Sequence, residues 1–335
     1  MVSACADAPD PTAPPAQEPQ ITPARVAAWF AQASPVVLAN PAAVFTDHDE
    51  VSGRLVIGVE HAGAAAAVRQ NLADLGIPQG AYVIEVTEPI LPMATLRDRW
   101  RPTQGGIQIH FGNFLCTMGF NADDGTARSF ITNSHCTNTQ GGTEGTQYYQ
   151  PTSTVDPVVI ATEAEDPTYF RGGQCPRGRR CRFADVSRAL YAAGTASTRG
   201  AIAQTSGPNN GSLTVTGAFT VTSQDNTSTS FAIGRTVNKV GRTTGWTQGN
   251  VTQTCVNTNV SGTNKTLLCQ TFVQNPGGAV VVGGGDSGSG VFGISSGSSV
   301  QLLGILWGGN GSGTLFVFSP LKSIRDEIGP ILATN

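Results

Sequence analysis

The chain has 335 residues, 13% of them charged, and a formal net charge of −3. That length suits two domains and allows a sizeable core, while a sparsely charged, weakly acidic chain has no electrostatic footprint for nucleic acid. No run of about 20 apolar residues is present, so no membrane-spanning helix is expected, and the N-terminus lacks the apolar centre of a signal peptide.

Residues 1–20 are rich in proline and alanine ("ADAPDPTAPPAQEPQ") and read as a disordered tether that cannot bury a core. Cys5, in "VSAC", fits the end of a bacterial lipoprotein signal and hence a lipid anchor. The same four residues equally fit an expression remnant carrying an unpaired thiol.

Residues 21–95 read as a small α/β domain. In "ITPARVAAWFAQA", Thr22 stands at an N-cap position, Pro23 at the first helical position, and Val26, Trp29 and Phe30 along one face. An apolar strand (53–61), an Ala-rich helix ended by Gly76 and a second strand (81–90) follow. Charge, proline and glycine then cluster over 96–106 as in an exposed linker.

From residue 107 to 335 the pattern is about a dozen short strands separated by turn residues, with helical spacing only at Leu321, Ile324 and Ile328. Two packed barrels or one large sandwich fit this pattern. Six of the seven cysteines fall into nearby pairs, Cys116/Cys136, Cys175/Cys181 and Cys255/Cys269, and none has the CxxC spacing of a metal site. Three disulfides and an oxidising compartment are expected, against the reading of free buried thiols.

The chemistry is carried by "TNSHCTN" (132–138) and "GGGDSGSG" (283–290). A serine hydroxyl needs a neutral imidazole to take its proton and a carboxylate to fix the imidazole's tautomer. The four histidines are His48, His61, His110 and His135. None follows Ser287, so the Ser, acid, His order of the α/β-hydrolases is excluded for this serine. The order His135, acid, Ser287 stays open. Asp185, at the head of the apolar stretch "ADVSRAL", is the favoured acid; Asp156, Asp166 and Asp225 read as solvated loop residues.

These fragments resemble the chymotrypsin-like serine endopeptidases, in particular their bacterial streptogrisin and α-lytic branch. "ITNSHC" is similar to the histidine motif, "ADVSRAL" to the aspartate strand and "GGGDSGSG" to the nucleophile loop. "VGRTTGW" (240–246) and "ILWGG" (305–309) also match, in the same order. The resemblance covers roughly 103–330. It departs at Ser134, where alanine is usual, and in "GDSGS".

The resemblance implies a mainly β, double-barrel domain with a C-terminal helix, and a secreted or cell-surface enzyme cutting polypeptides through an acyl-enzyme at Ser287. His135 would be the base and Asp185 the orienting acid, with no cofactor or metal. The N–H groups of Gly285 and Ser287 would form the oxyanion site. Val281 and Val282, with Trp307, Gly308 and Gly309, would line an apolar specificity pocket, and Arg242 would pair with buried Asp286. Residues 21–95 would be a pro-domain acting as intramolecular chaperone or inhibitor, making the chain a zymogen; a monomer is expected. The competing reading is a catalytically dead binding or scaffold protein that keeps the barrels.

Overall fold

Thr22 caps the first helix, Pro23–Val37, by accepting from the N–H of Arg25, and the helix buries Val26, Trp29, Ala33 and Val37. A computed structural model describes residues 20–90 and 93–335, and its chain divides into two units after Pro92. Residues 1–19, which hold Cys5 and nearly all of the expected tether, lie outside the described residues.

In the first unit the strand Arg54–Val59 pairs antiparallel with Ala43–Asp49 and parallel with Tyr82–Val86. The parallel pair is joined through the helix Ala65–Asp74, which buries Ala65, Val68 and Leu72 against Leu55, Ile57 and Val59. The strand Ala43–Asp49 is absent from the sequence reading because its "AVFTDHD" composition lacks an apolar run and its side chains are mostly half-buried.

The second unit carries two β-layers. In the first, a five-stranded sheet runs in the order Phe120–Asp123, Arg128–Thr132, Ser187–Tyr191, Ala161–Glu165, Gln147–Tyr148. The hairpin Gln108–Phe111/Phe114–Thr117 joins its edge through paired backbone bonds between His110 and Tyr149. In the second, six strands close on themselves. Lys265–Gln274, Gly245–Asn259, Thr236–Gly241, Gly290–Ser296, Ser299–Gly309 and Leu315–Pro320 pair in turn, and the last pairs back to the first. Closure leaves no edge among these six and encloses Val237, Val251, Val273, Val291, Leu303 and Phe318. The helix Leu321–Ile328 follows, burying Leu321, Ile324 and Ile328.

Residues 96–106 are not an exposed linker. Leu96 is fully buried and its N–H donates to Leu213 O, Trp100 packs on the same core, and Thr103–Gly105 pairs with Ser197–Thr205. The charges that suggested exposure are neutralised locally: Arg99 and Arg101 both meet Asp156, at 2.6 and 3.1 Å. Asp156, read as solvated, is therefore buried and paired. A second unit beginning at Thr103 loses the buried Leu96 and the partly buried Trp100, which costs about 3–5 kcal/mol. Its Tm should fall on the order of 10 °C below that of residues 93–335; equal melting curves would show that this segment contributes nothing.

Candidate active site

Strand register brings the histidine and the aspartate together. Ser187 pairs with Thr132, so the residues just beyond the pair, 135 on one strand and 185 on the other, leave the sheet at the same edge. The short turn Ser134–Cys136 then points the imidazole back, with His135 Nδ1 2.7 Å from Asp185 Oδ2. The His135 N–H donates to Asp185 Oδ1 at 3.1 Å, so one carboxylate holds both the ring and its backbone.

Asp185 is itself fixed on all sides. Asn133 Nδ2 donates to its carbonyl at 2.7 Å, and its N–H donates to Ser319 Oγ at 3.1 Å. Ser319 Oγ donates in turn to Gln270 Oε1, which also accepts from the Trp307 indole. Glu327, from the C-terminal helix, accepts from the N–H groups of Phe183 and Ala184. Buried Arg182 bridges Glu327 and Asp166, and Asp166 accepts from Ser134 Oγ at 2.8 Å. Asp166 is thus no solvated loop acid; it belongs to an ion cluster behind the His135 turn.

Burial alone would raise the Asp185 pKa, but the adjacent imidazole lowers it below the usual carboxylate value. For His135 burial pushes the pKa down, and the Asp185 charge and hydrogen bond outweigh it, leaving the imidazole above its ordinary 6.5. Cys116, His135 and Cys136 cluster closely enough to suggest a metal site, but both sulfurs are joined in a disulfide and offer no thiolate.

The serine arrives from the other β-layer. Thr117 N–H donates to Ser287 O at 2.8 Å, and that oxygen lies 4.0 Å from Cys136 Sγ, beside the histidine turn. Gly288 has φ +94°, and a Cβ there would come within 2.1 Å of Thr117 O, so only glycine allows this approach. Gly285 has φ +95°. Among the described residues, the N–H groups of Gly285 and Ser287 have no acceptor.

Asp286, fully buried, orders this loop, but its cation is not Arg242. Lys239 Nζ lies 3.0 Å from Asp286 Oδ2, with neither side chain exposed. The carboxylate also accepts from the N–H groups of Gly283, Thr243 and Thr244 and from Thr244 Oγ1. Burial would raise the Asp286 pKa; Lys239 and Thr244 lower it below its usual value. Arg242 instead directs Nε to Gln108 Oε1 at 2.6 Å and Nη1 to Thr243 Oγ1. The sequence reading was drawn to the arginine of "GRTT"; the overlooked signal was a lysine inside the strand Thr236–Gly241, two residues from core-facing Val237 and so on the same face.

A five-stranded layer with a His–Asp pair at its edge, and a closed six-stranded barrel whose serine loop is held against that edge, define the architecture. The fold is chymotrypsin-like. This chymotrypsin-like chain is similar to solved bacterial serine proteases. Thermobifida fusca Protease A is 25% identical, with a TM-score of 0.48, and the match covers 69% of this chain and 98% of that one. A glutamic acid specific serine protease is 23% identical (TM-score 0.48; 69% of this chain, 100% of that one). Cellulomonas bogoriensis chymotrypsin is 22% identical (TM-score 0.46; 69% and 98%). No family model matches the chain, and no curated protein matches it.

A cleft runs along the chymotrypsin-like unit past both groups. One cavity of about 410 Å³ is lined by Val280, Val282, Gly283, Ser287 and Gly308–Gly313. A second, of about 580 Å³, holds His135, Asp185, Phe272, Trp307 and Val317 and shares Gly308, Gly309 and Asn310 with the first. Val281 is not in the lining: its side chain is buried in the barrel core, and strand-like alternation turns Val280 and Val282 to the cavity instead. All three expected disulfides are present, Cys116–Cys136, Cys175–Cys181 and Cys255–Cys269. No helix among the described residues is long and apolar enough to cross a membrane.

Proposed function

We propose that the protein is an exported serine endopeptidase that cleaves polypeptides through an acyl-enzyme at Ser287. The His135–Asp185 pair, set by strand register beside the Ser287 loop, is the observation that carries this reading. His135 takes the Ser287 proton as the hydroxyl attacks the scissile carbonyl, and later returns it to the leaving amine. Asp185 holds the ring with Nδ1 protonated and stabilises the imidazolium. The free N–H groups of Gly285 and Ser287 are suited to receive the developing oxyanion. Export is supported by three disulfides.

A fluorophosphonate probe should label the whole protein at Ser287, and Ser287→Ala and His135→Ala should each abolish labelling. Absence of labelling in the native protein would favour the alternative, a barrel scaffold that binds without cutting.

An apolar P1 preference is the reading of the cavity beside Ser287, whose walls are mostly valines and glycines, with Asn310 and Ser312 among them. A Cβ at Gly308 would meet nothing within 4 Å, so a side chain there enters the cavity without disturbing the fold. Gly308→Val should leave Tm unchanged and lower kcat/KM for large apolar P1 residues by about 10–200-fold relative to alanine. Unaltered selectivity would remove Gly308 from the specificity wall.

We assign residues 21–95 a pro-domain role, assisting folding of a domain rich in non-local strand pairs. Because Leu96–Gly105 belongs to the second unit, release would have to occur ahead of it rather than within 99–106. Refolding of residues 93–335 alone at the rate of the whole chain would end this reading.

A further inference from the structure

The segment 171–182 contains Arg171, Arg177, Arg179, Arg180 and Arg182 and no acid, in a chain that is acidic overall. It is tied into a loop by Cys175–Cys181 and pinned to the hairpin that overhangs the cleft. Arg180–Arg182 pairs parallel with Lys265–Leu267, and the Arg179 guanidinium donates to Thr263 O, Lys265 O and Thr266 Oγ1. Thr263 lines the cavity that holds His135.

Two of these arginines are structural: Arg182 is buried in its ion cluster, and Arg179 binds the hairpin. Three are exposed, Arg171, Arg177 and Arg180, and among the described residues none has a carboxylate within salt-bridge distance. Lys265 adds a fourth charge next to Gln140 of the cavity wall. Its ammonium stands 5.1 Å over the Tyr169 ring and donates to Gln140, which itself lines the cavity and bonds Tyr169 Oη. The nearby carboxylates of Asp166 and Asp185 are buried and already engaged by Arg182 and His135. A group of cations without carboxylate partners, two of them within the disulfide loop and all on or next to a segment bonded to a cavity-lining hairpin, raises the local concentration of negatively charged chains.

We propose that this shelf recruits acidic polypeptide segments, so that the preferred substrates carry aspartate or glutamate on one flank of the apolar residue at which they are cut. The proposal rests on the endopeptidase reading for the cut, but not for the binding. Electrostatic recruitment of this kind acts over about a Debye length and fades with salt.

The test compares three fluorescein-labelled peptides with one central leucine: glutamate on its N-terminal flank, glutamate on its C-terminal flank, and serine on both. Binding to the whole Ser287→Ala protein is read by anisotropy, and kcat/KM by cleavage with the unaltered protein. One acidic peptide should bind and be cut about tenfold better than the serine peptide at low salt. That advantage should vanish in 1 M NaCl and in Arg177→Glu/Arg180→Glu, whose cleavage of the serine peptide should be unchanged. Equal binding of all three peptides at low salt, or an advantage that survives the charge reversal, overturns the shelf. Cleavage of none of them together with selective binding of an acidic peptide would instead sink the endopeptidase reading and leave the shelf standing.

Discussion

Lys239→Met should unfold the serine loop and abolish labelling of Ser287, whereas Arg242→Gln should leave most of it intact. Lys239 and Asp286 are both fully buried, and Lys239 is the only cation bonded to that carboxylate among the described residues. Removing one member of a buried pair leaves an uncompensated charge and costs about 3–5 kcal/mol. The four other donors to Asp286 come from Gly283, Thr243 and Thr244, so the loop would lose its electrostatic anchor while keeping hydrogen bonds that cannot neutralise it. Arg242 is half-buried and bonds Gln108 and Thr243, so its loss should cost about 1 kcal/mol. A double variant, Lys239→Met with Asp286→Leu, should regain much of the Tm without regaining activity. Chemical denaturation of the four proteins decides the matter: a larger loss for Arg242→Gln than for Lys239→Met would restore the arginine as the latch.

Asp185→Asn should lower kcat/KM on the order of 10⁴-fold, because the amide no longer holds the imidazole in the tautomer that can accept the Ser287 proton. A pH signature separates this from misfolding. The base must be neutral, and Asp185 holds His135 above 6.5, so the ascending limb of kcat/KM should have its midpoint above that value. Without the carboxylate, burial and the Lys265 charge remain, both acting to lower the pKa, and the midpoint should move to lower pH. The stability sign follows from the same shift. A histidine with a raised folded pKa contributes stability that is complete below 6.5 and is lost as pH rises through the folded value. A midpoint that stays in place in Asp185→Asn would mean that the pair does not govern the base.

Residues whose chemistry admits few substitutes were legible in the sequence. With four histidines and none beyond residue 135, the order of candidate groups along the chain was constrained before any geometry was known. Supporting residues were not, because their role depends on partners far away in the chain. Glu327 reads as one more acid on an amphipathic helix until the fold sets it against residues 183 and 184. Asp156 and Asp166 read as loop acids because the arginines that bury them, at 99, 101 and 182, are not their sequence neighbours. Val281 was misplaced for a local reason: on an extended segment, an offset of one residue exchanges the cavity for the core.

Glu327 also sets an order in time. The loop carrying Asp185 has two backbone N–H groups, those of Phe183 and Ala184, whose acceptor lies in the C-terminal helix, 144 residues after Phe183, and the same carboxylate pairs with buried Arg182. A chain emerging from the ribosome therefore presents its histidine, aspartate and serine well before the piece that holds the aspartate loop in place. On the endopeptidase reading, competence to cut would await the segment that carries Glu327, and a product interrupted before it would be left with an unanchored aspartate loop.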